Sequence, residues 1–488
     1  MSFTVKILPA GVRVPAADGE NLLDVLRRNS LAPEAPCGGN GKCGKCAVTV
    51  DGVRTLACRT QVHGDMCVTL PEPERPTHIL TASEADMPAP HRPGVLLAYD
   101  VGTTTLVCWL MDGETGRVLS CRSMLNPQRS FGADVISRVG AALDGAELRT
   151  CIADAMTELA LAACREAGRA AEEVSAVSVV GNPAMQQLFM GIPVNNLAAV
   201  PFAPVITRAQ WLRADGYLPA CPNAELLVVP DISGYVGADT LACMLVTRMN
   251  EATEPTLMVD IGTNGEMVLC ARGRLLACST AAGPALEGAG IRLGMRAADG
   301  AIDHVRIENG RITCSVIGGG AARGICGSGL IDAVACALKL GLINQRGRIK
   351  DPTEREGERF IGLADKVYIT QNDIRQLQLA KGAIEAGIEL MCAHAGVELR
   401  EISRVLLAGA FGSFMNAESA WSIGLLPPEP AGRVAAVGNA AGAGARLFLA
   451  QPDAVGLAQR LRDETEHLEL ASLPEFQRTF GRCTMLPN

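Results

Sequence analysis

The chain has 488 residues, enough for two or three domains with sizeable cores. Its net charge of −8 and the lack of a basic run exclude a nucleic-acid binder. No apolar stretch reaches the roughly 18 residues that a membrane span needs. The amino terminus also lacks a signal-peptide core, so we expect a cytoplasmic protein.

Residues 1–72 are typical of a small β-rich domain. Alternating patterns predict strands at 4–8, 12–15, 47–50 and 66–70, and an amphipathic pattern predicts a short helix at 21–28. Asp51-Gly52 predicts a hairpin turn. This order of elements indicates a β-grasp ferredoxin fold.

Four cysteines in this region point to a [2Fe–2S] cluster, which takes four thiolate ligands. Three lie in the glycine-rich run Cys37-Gly-Gly-Asn-Gly-Lys-Cys43-Gly-Lys-Cys46, and Cys58 follows in Leu-Ala-Cys-Arg. Cys67 is the alternative fourth ligand. The same run departs from a phosphate-binding P-loop at Cys46, where that motif needs Ser or Thr, so we reject the P-loop reading. The other cysteines are expected to be reduced, buried thiols.

Residues 73–94 are rich in proline and predict an extended, semi-rigid linker. From residue 95 onward, apolar β patterns alternate with Ala-rich helical patterns, which indicates an α/β fold. We expect the first half of this region at 95–255. The second half, at 256–488, is expected to end in a helical tail.

An Asp-x-Gly-Thr motif opens each of these halves at the end of a strand pattern. The first is Asp100-Val-Gly102-Thr103-Thr104, and the second is Asp260-Ile-Gly262-Thr263-Asn264. Glycine amides and threonine hydroxyls can bind phosphate, and the carboxylates can hold hydrated Mg²⁺. The pair therefore predicts a cleft that binds Mg²⁺ and a polyphosphate.

Later motifs complete a nucleotide site. Gly409-Ala410-Phe-Gly412 follows a buried strand pattern and suits a nucleoside-binding turn. Asp231 and Asp239 both lie in a connecting motif whose acid orients the metal or the attacking water, and the spacing does not choose between them. These motifs resemble those of the actin, sugar-kinase and chaperone ATPase (ASKHA) superfamily, which implies two ribonuclease-H-like halves and ATP as the nucleotide.

A ferredoxin domain joined to an ATPase suits the transfer of an electron to an acceptor of lower reduction potential. A plant-type cluster has a reduction potential of about −400 mV. Electron transfer to an acceptor whose reduction potential is about 100 mV lower costs roughly 2.3 kcal/mol, and ATP hydrolysis can supply this energy.

The whole chain resembles the reductive activators of corrinoid proteins. Longer members of that family carry a further domain between linker and ATPase, whereas here Pro93 leads almost directly into the first phosphate strand. The matching segments are Cys37–Cys46, Asp100-Val-Gly-Thr-Thr-Thr, Val180-Gly-Asn-Pro-Ala-Met, Asp260-Ile-Gly-Thr-Asn-Gly-Glu266, Ala281-Ala-Gly-Pro-Ala-Leu-Glu287, Gly324-Ile-Cys-Gly-Ser-Gly, Gln378-Leu-Ala-Lys381 and Leu407-Ala-Gly-Ala-Phe-Gly412.

The resemblance implies ATP-dependent reduction of Co(II) to Co(I) in a corrinoid carried by a partner protein, with a low-potential reductant as donor. It implies that Cys37, Cys43, Cys46 and Cys58 hold the cluster. Around Mg²⁺ and phosphate it places Asp100, Gly102, Thr103, Thr104, Asp260, Gly262, Thr263 and Asn264, and near the nucleoside Gly409, Ala410 and Gly412. Glu266, Glu287 and Lys381 are further candidates, with structural capping as the alternative.

A homodimer is expected. Two other functions stay open, an activator of a 2-hydroxyacyl-CoA dehydratase and a nucleotide-binding redox sensor. The first would bridge a [4Fe–4S] cluster between subunits with cysteines of its ATPase domain.

Overall fold

The computed structural model describes residues 2–71, 81, 88–145, 147–262, 264–351, 353–355, 357–427 and 433–487. Most of the predicted linker at 73–94 lies outside these residues, as does Thr263. Among the described residues, no helix combines the length and the apolar character needed to cross a membrane.

The amino-terminal domain is a five-stranded sheet in the order β2-β1-β7-β4-β5, with one helix against it. The strands of this sheet are β1 (Ser2–Leu8), β2 (Val12–Ala17), β4 (Ala47–Val50), β5 (Val53–Leu56) and β7 (Met66–Thr69). The short strands β3 (Glu20–Asn21) and β6 (Gln61–Val62) form a separate two-stranded sheet. The helix α1 (Leu22–Arg28) begins at Asn21, whose side chain accepts from the Leu23 N–H. The predicted turn joins β4 to β5, and both Asp51 and Gly52 have positive φ, as a type I′ turn requires.

The first half of the α/β region contains a six-stranded sheet in the order β10-β9-β8-β11-β13-β12. The strands are β8 (Val95–Val101), β9 (Thr105–Asp112), β10 (Val118–Leu125), β11 (Val174–Gly181), β12 (Gln210–Arg213) and β13 (Glu225–Val228). The helices are α2 (Val135–Leu143), α3 (Leu148–Glu166), α4 (Pro183–Met190), α5 (Asn195–Ala198) and α6 (Ala238–Val246).

The second half contains another six-stranded sheet, in the order β24-β23-β14-β15-β16-β25. The strands of this half are β14 (Thr256–Ile261), β15 (Gly265–Ala271), β16 (Arg274–Thr280), β17 (Ala301–Glu308), β18 (Arg311–Val316), β19 (Gly324–Ile325), β20 (Glu354–Arg355), β21 (Glu358–Ala364), β22 (Val367–Thr370), β23 (Arg404–Ala408), β24 (Val434–Gly438) and β25 (Thr465–His467). The helices are α7 (Gly327–Lys339), α8 (Gln371–Ala395), α9 (Gly409–Phe414), α10 (Ala417–Ser422), α11 (Ala440–Ala450), α12 (Pro452–Glu464) and α13 (Phe476–Cys483).

The two sheets share the arrangement of five strands. In each, three antiparallel strands are followed by two strands that add in parallel, β11 beside β8 in the first half and β23 beside β14 in the second. The sixth strands differ, since β12 adds antiparallel to β13 and β25 adds parallel to β16 at the opposite edge. The strands β8 and β14 therefore occupy equivalent places. Each ends in one of the two Asp-x-Gly motifs, so the fold brings both motifs to the same edge between the halves.

The helices α6 and α11 pack between the two sheets and form a shared apolar core. Their contact is close because α11 carries glycine where its neighbours approach. A Cβ on Gly442 would lie 2.1 Å from the Trp109 ring, and one on Gly444 would lie 2.5 Å from the Ala242 Cβ. This packing joins the halves at the base of the cleft.

Candidate functional site

The four predicted cluster cysteines lie together at one end of the amino-terminal domain. The Cys37 and Cys43 Sγ atoms are 3.3 Å apart, and the Cys46 and Cys58 Sγ atoms are also 3.3 Å apart. Two pairs of thiols are what two tetrahedral irons need from the protein, so this donor set fits a [2Fe–2S] cluster. Cys67 lies on β7, where its backbone N–H donates to Asp51.

The environments of these thiols differ. Cys46 is buried, Cys37 and Cys58 are half-buried, and Cys43 is exposed. Burial raises the pKa of Cys37, but hydrogen bonds from Cys43 and from the backbone N–H groups of Lys42 and Gly39 lower it to about 6. Burial and the neighbouring Cys46 raise the pKa of Cys58 to about 11. The loop amides therefore favour thiolate at its first cysteine.

The second site is a cleft of about 300 Å³ between the two halves of the α/β region. It holds both Asp-x-Gly motifs and most of the other predicted residues. The predicted residues that line it are Asp100, Gly102, Thr103, Thr104, Asp239, Asp260, Gly262, Asn264, Glu266, Glu287 and Gly409.

Four of the five carboxyl groups that line this cleft have raised pKa values. Burial raises the pKa of Asp100 to about 6 against a hydrogen bond from Asn439. Burial and the charge of Asp100 raise the pKa of Asp260 to about 6. Burial, with the charges of Asp100 and Asp260, raises the pKa of Asp239 to about 7. Burial and the charges of Asp239 and Asp260 also raise the pKa of Glu266. The oxygen donors of this cluster are those that Mg²⁺ prefers.

The first phosphate loop is held rigidly by polar side chains from neighbouring elements. Asn182, the N-cap of α4, donates to the Thr103 Oγ1 at 3.0 Å, and Arg138 of α2 donates to the Thr103 carbonyl at 2.6 Å. Asn126 donates to the Gly102 carbonyl at 2.9 Å. These contacts use the loop's carbonyls and the Thr103 hydroxyl, and the Gly102 N–H donates to the Thr105 carbonyl at 2.9 Å within the turn.

Two contacts cross the cleft from one half to the other. The Thr104 Oγ1 donates to Glu287 at 2.8 Å, and Asn439 donates to Asp100 at 2.9 Å. Asn439 also caps α11 by accepting from the Gly442 N–H. The cleft is therefore spanned at both the first phosphate loop and the carboxyl end of β8.

The helix α9 begins at the predicted nucleoside turn and contains Gly409, Ala410 and Gly412. Gly409 has a φ of +77°, and a Cβ there would lie 2.4 Å from an oxygen of Asp260. Only glycine gives this chain reversal beside the carboxylate. Gly412 instead packs against Leu407 and does not line the cleft.

The structure places the two candidate acids of the connecting motif differently. Asp239 lies in the first turn of α6 and lines the cleft. Asp231 is fully buried away from that lining and accepts from the Ala238 N–H, so it supports the start of α6. Lys381 is also buried away from the cleft, where it pairs with Glu385 at 2.6 Å.

Sequence reasoning did not single out Asn126, Arg138, Asn182, Arg296 or Asn439. Three of them are asparagines directly after a strand, at positions 126, 182 and 439, where a side-chain oxygen caps the following helix. That position is a signal readable from sequence. No sequence signal identifies the two arginines, because their partners lie far away along the chain.

A second cavity, of about 560 Å³, lies between the amino-terminal domain and the mouth of the cleft. Lys45 and Pro36, each adjacent to a predicted cluster cysteine, line it from one side. Thr104 and Glu287 line it from the other. The cysteine loop and the nucleotide cleft are therefore neighbours across this space.

Known families match nearly all of the chain. Residues 5–72 match the 2Fe-2S iron-sulfur cluster binding domain, residues 95–252 match the RACo middle region, and residues 254–488 match the carboxy-terminal ASKHA domain of RACo. These matches confirm the predicted fold class, a ferredoxin domain followed by an ASKHA domain.

Individual relatives agree with these family matches. The corrinoid activation enzyme RamQ of Eubacterium limosum is 35% identical over 415 residues, which are 80% of this chain and 70% of that protein. The Co(II) methylated amine-specific corrinoid protein reductase of Methanosarcina barkeri is 31% identical over 64% of this chain and 62% of that protein. A solved reductive activator for corrinoid, iron-sulfur protein covers the whole chain at 28% identity with a TM-score of 0.73, and 98% of that structure is matched. The chain therefore belongs to the RACo family, in which a 2Fe-2S domain is joined to an ASKHA domain.

Proposed function

We propose that this protein uses ATP to reduce a corrinoid protein from Co(II) to Co(I). The observation that carries the proposal is the placement of a cysteine loop, which belongs to a cluster of four thiols, beside a cleft lined by five carboxyl residues, in a chain of the RACo family. The electron donor would be a low-potential reductant. The predicted homodimer and the predicted cytoplasmic location remain predictions.

Cys37, Cys43, Cys46 and Cys58 would hold the [2Fe–2S] cluster. When bound, the cluster supplies a one-electron carrier of low potential. The chain's own contribution is to separate that carrier from bulk water on the Cys46 side and to leave it accessible at Cys43.

Asp100 and Asp260 would hold Mg²⁺ from opposite halves, with Glu266 nearby, and a bound Mg²⁺ would supply positive charge to the phosphates. Phosphate would lie against Gly102, Thr103 and Thr104 and against Gly262 and Asn264. The N–H groups of Gly102 and Gly262 donate within their own turns, so the other N–H groups of the two loops would bind it. Thr263 belongs to the same predicted set and lies outside the described residues. Gly409 and the start of α9 would meet the nucleoside.

Asp239 would orient the attacking water and accept its proton. Its position in the cleft and its pKa of about 7 both suit a general base. We assign Asp231 a structural role instead, since it lies outside the cleft lining.

The test mixes the purified cluster-loaded protein with Mg²⁺, ATP, a low-potential reductant and purified corrinoid proteins under anaerobic conditions. We expect the absorption of Co(II) to give way to that of Co(I) only when ATP is present. Asp239→Asn should lose most of this ATP-dependent reduction. Asp18→Asn should not, because Asp18 is an exposed residue that contacts His63 and lines neither cavity. The proposal fails if no corrinoid protein shows an ATP-dependent change.

The iron content separates this proposal from an activator of a 2-hydroxyacyl-CoA dehydratase. We expect two irons per chain and the paramagnetic signal of a reduced [2Fe–2S] cluster. Four irons shared by two chains would favour the alternative. Absence of ATP hydrolysis would favour the redox sensor.

A further inference from the structure

One carboxylate joins the three parts of the molecule. Glu34 lies three residues before the first cluster cysteine. Its Oε1 is 3.2 Å from Arg129 Nη1 in the first half and 2.5 Å from Arg296 Nη1 in the second half. All three side chains are about one quarter exposed, so solvent screens these pairs only in part.

The other described polar contacts between the amino-terminal domain and the α/β region go to the first half alone. Arg27 donates to the Ser130 carbonyl at 2.9 and 2.6 Å, and its guanidinium lies over the Phe131 ring. The Ala133 N–H donates to the Pro36 carbonyl at 3.3 Å. Of the ion pairs between described residues, Glu34–Arg296 is the one that ties this domain to the second half.

Arg296 faces two spaces at once. It lines the cavity beside the cysteine loop and also the nucleotide cleft, as Thr104 and Glu287 do. A guanidinium binds phosphate in a bidentate manner, and a polyphosphate offers more negative charge than one carboxylate. A nucleotide in the cleft would therefore compete with Glu34 for Arg296.

We propose that Arg296 is a phosphate-binding residue that exchanges Glu34 for the terminal phosphate of ATP. The exchange releases the amino-terminal domain from the second half, while Arg27 and Pro36 keep it on the first. Binding in the cleft thereby changes the attachment of the cysteine loop. This inference rests on the proposed function in that ATP occupies the cleft.

Linkage gives the exchange a measurable consequence. If ATP must displace Glu34, removal of that carboxylate makes ATP bind more tightly, by the same free energy with which ATP weakens the Glu34–Arg296 contact. A merely structural role for Glu34 would lower stability and leave the affinity unchanged or weaker.

The experiment measures the affinity of the cluster-loaded full chain for a non-hydrolysable ATP analogue with Mg²⁺ by calorimetry. We expect Glu34→Gln to bind the analogue roughly fivefold more tightly, and Arg296→Gln at least roughly tenfold more weakly. The double variant should match Arg296→Gln, because Glu34 acts through Arg296. Asp18→Asn removes a carboxylate from the same domain, where it contacts His63, and should match the wild type.

Hydrogen exchange gives a second readout. The analogue should raise amide exchange in residues 31–36 of the wild type, and Glu34→Gln should show the raised exchange without nucleotide. If Glu34→Gln does not fold, Glu34→Asp, which keeps the charge but shortens the reach, should shift affinity and exchange in the same directions.

Three results would contradict the proposed swap of partners at Arg296. They are unchanged or weaker binding of the analogue by Glu34→Gln, persistence of the Glu34→Gln effect in the Arg296→Gln background, and amide hydrogen exchange in residues 31–36 that does not change when the analogue is added. Failure of the wild type to bind the analogue would instead count against the proposed function.

Discussion

At the residue scale, the cysteine loop and the cleft use opposite electrostatics. Loop amides lower the pKa of Cys37, whereas burial raises the pKa values of Asp100, Asp239 and Asp260. The first arrangement stabilises negative charge without a cation. The second stores negative charge that only a cation or protons can neutralise.

The fourth cluster ligand can be decided by substitution. Because the Cys58 Sγ lies 3.3 Å from that of Cys46, we expect Cys58→Ser to lose most of the visible absorption and bound iron. Cys67→Ser should retain both and serves as the matched control. Loss of iron in Cys67→Ser alone would contradict the ligand set.

The raised carboxyl pKa values predict how stability depends on pH. Each group has a pKa near 4 in the unfolded chain and a higher one in the fold, so its contribution is fully present below about pH 4. It is lost as pH rises through about 6 to 7. The free energy of unfolding of the nucleotide-free protein should therefore fall as the pH rises from about 4 to about 7, and should level off above that.

Urea unfolding at pH 5.5 and 7.5 tests this. Asp239→Asn should flatten the fall, and Mg²⁺ should restore stability at the higher pH by binding the ionised groups. Asp18→Asn should keep the wild-type slope. An Asp239→Asn variant with an unchanged slope would show that the cluster does not titrate as inferred.

At the element scale, α11 depends on a glycine for its position. Gly442 lies against Trp109 of β9, and the same first turn places Asn439 on Asp100. The packing of this helix and the geometry of the cleft are therefore set together.

Gly442→Ala should destabilise the protein by about 1–3 kcal/mol, because the new methyl group overpacks against the Trp109 ring. Gly140→Ala is the control, since nothing lies within 4 Å of a Cβ at that position of α2 and alanine is the better helix former. Urea unfolding followed by tryptophan fluorescence measures both. Equal or higher stability of Gly442→Ala would contradict this packing.

Local elements were largely predictable, since strand alternation, the Asp51-Gly52 turn and the strand-ending Asp-x-Gly motifs are short-range patterns. The strand β5 and the asparagine caps were missed, although the turn before β5 already implied a returning strand. The choice between Asp231 and Asp239 depended on which one faces the cleft, and chain spacing does not encode that.

At the scale of the whole molecule, the decisive contacts are long-range. Asn439 reaches Asp100 across 339 positions, and Arg296 reaches Glu34 across 262. No sequence pattern specifies such pairs, because they form only where the two halves and the amino-terminal domain meet.

Like charges on opposite halves predict a response to Mg²⁺ alone. Asp100 and Asp260 repel each other across the cleft, so a cation between them should draw the halves together. Small-angle scattering should show a smaller radius of gyration on adding Mg²⁺ without nucleotide. Asp100→Asn should be insensitive to Mg²⁺, and an unresponsive wild type would contradict the prediction.

The different exposure of the four cysteines has a consequence for electron transfer to and from the cluster. Cys43 faces solvent, while Cys46 is enclosed by the core of its domain. Cys37 and Cys58 are half-buried, so the most open approach to the cluster would be at Cys43. The proposed electron donor and acceptor would use this approach in turn, so excess donor should compete with the acceptor and slow the reduction.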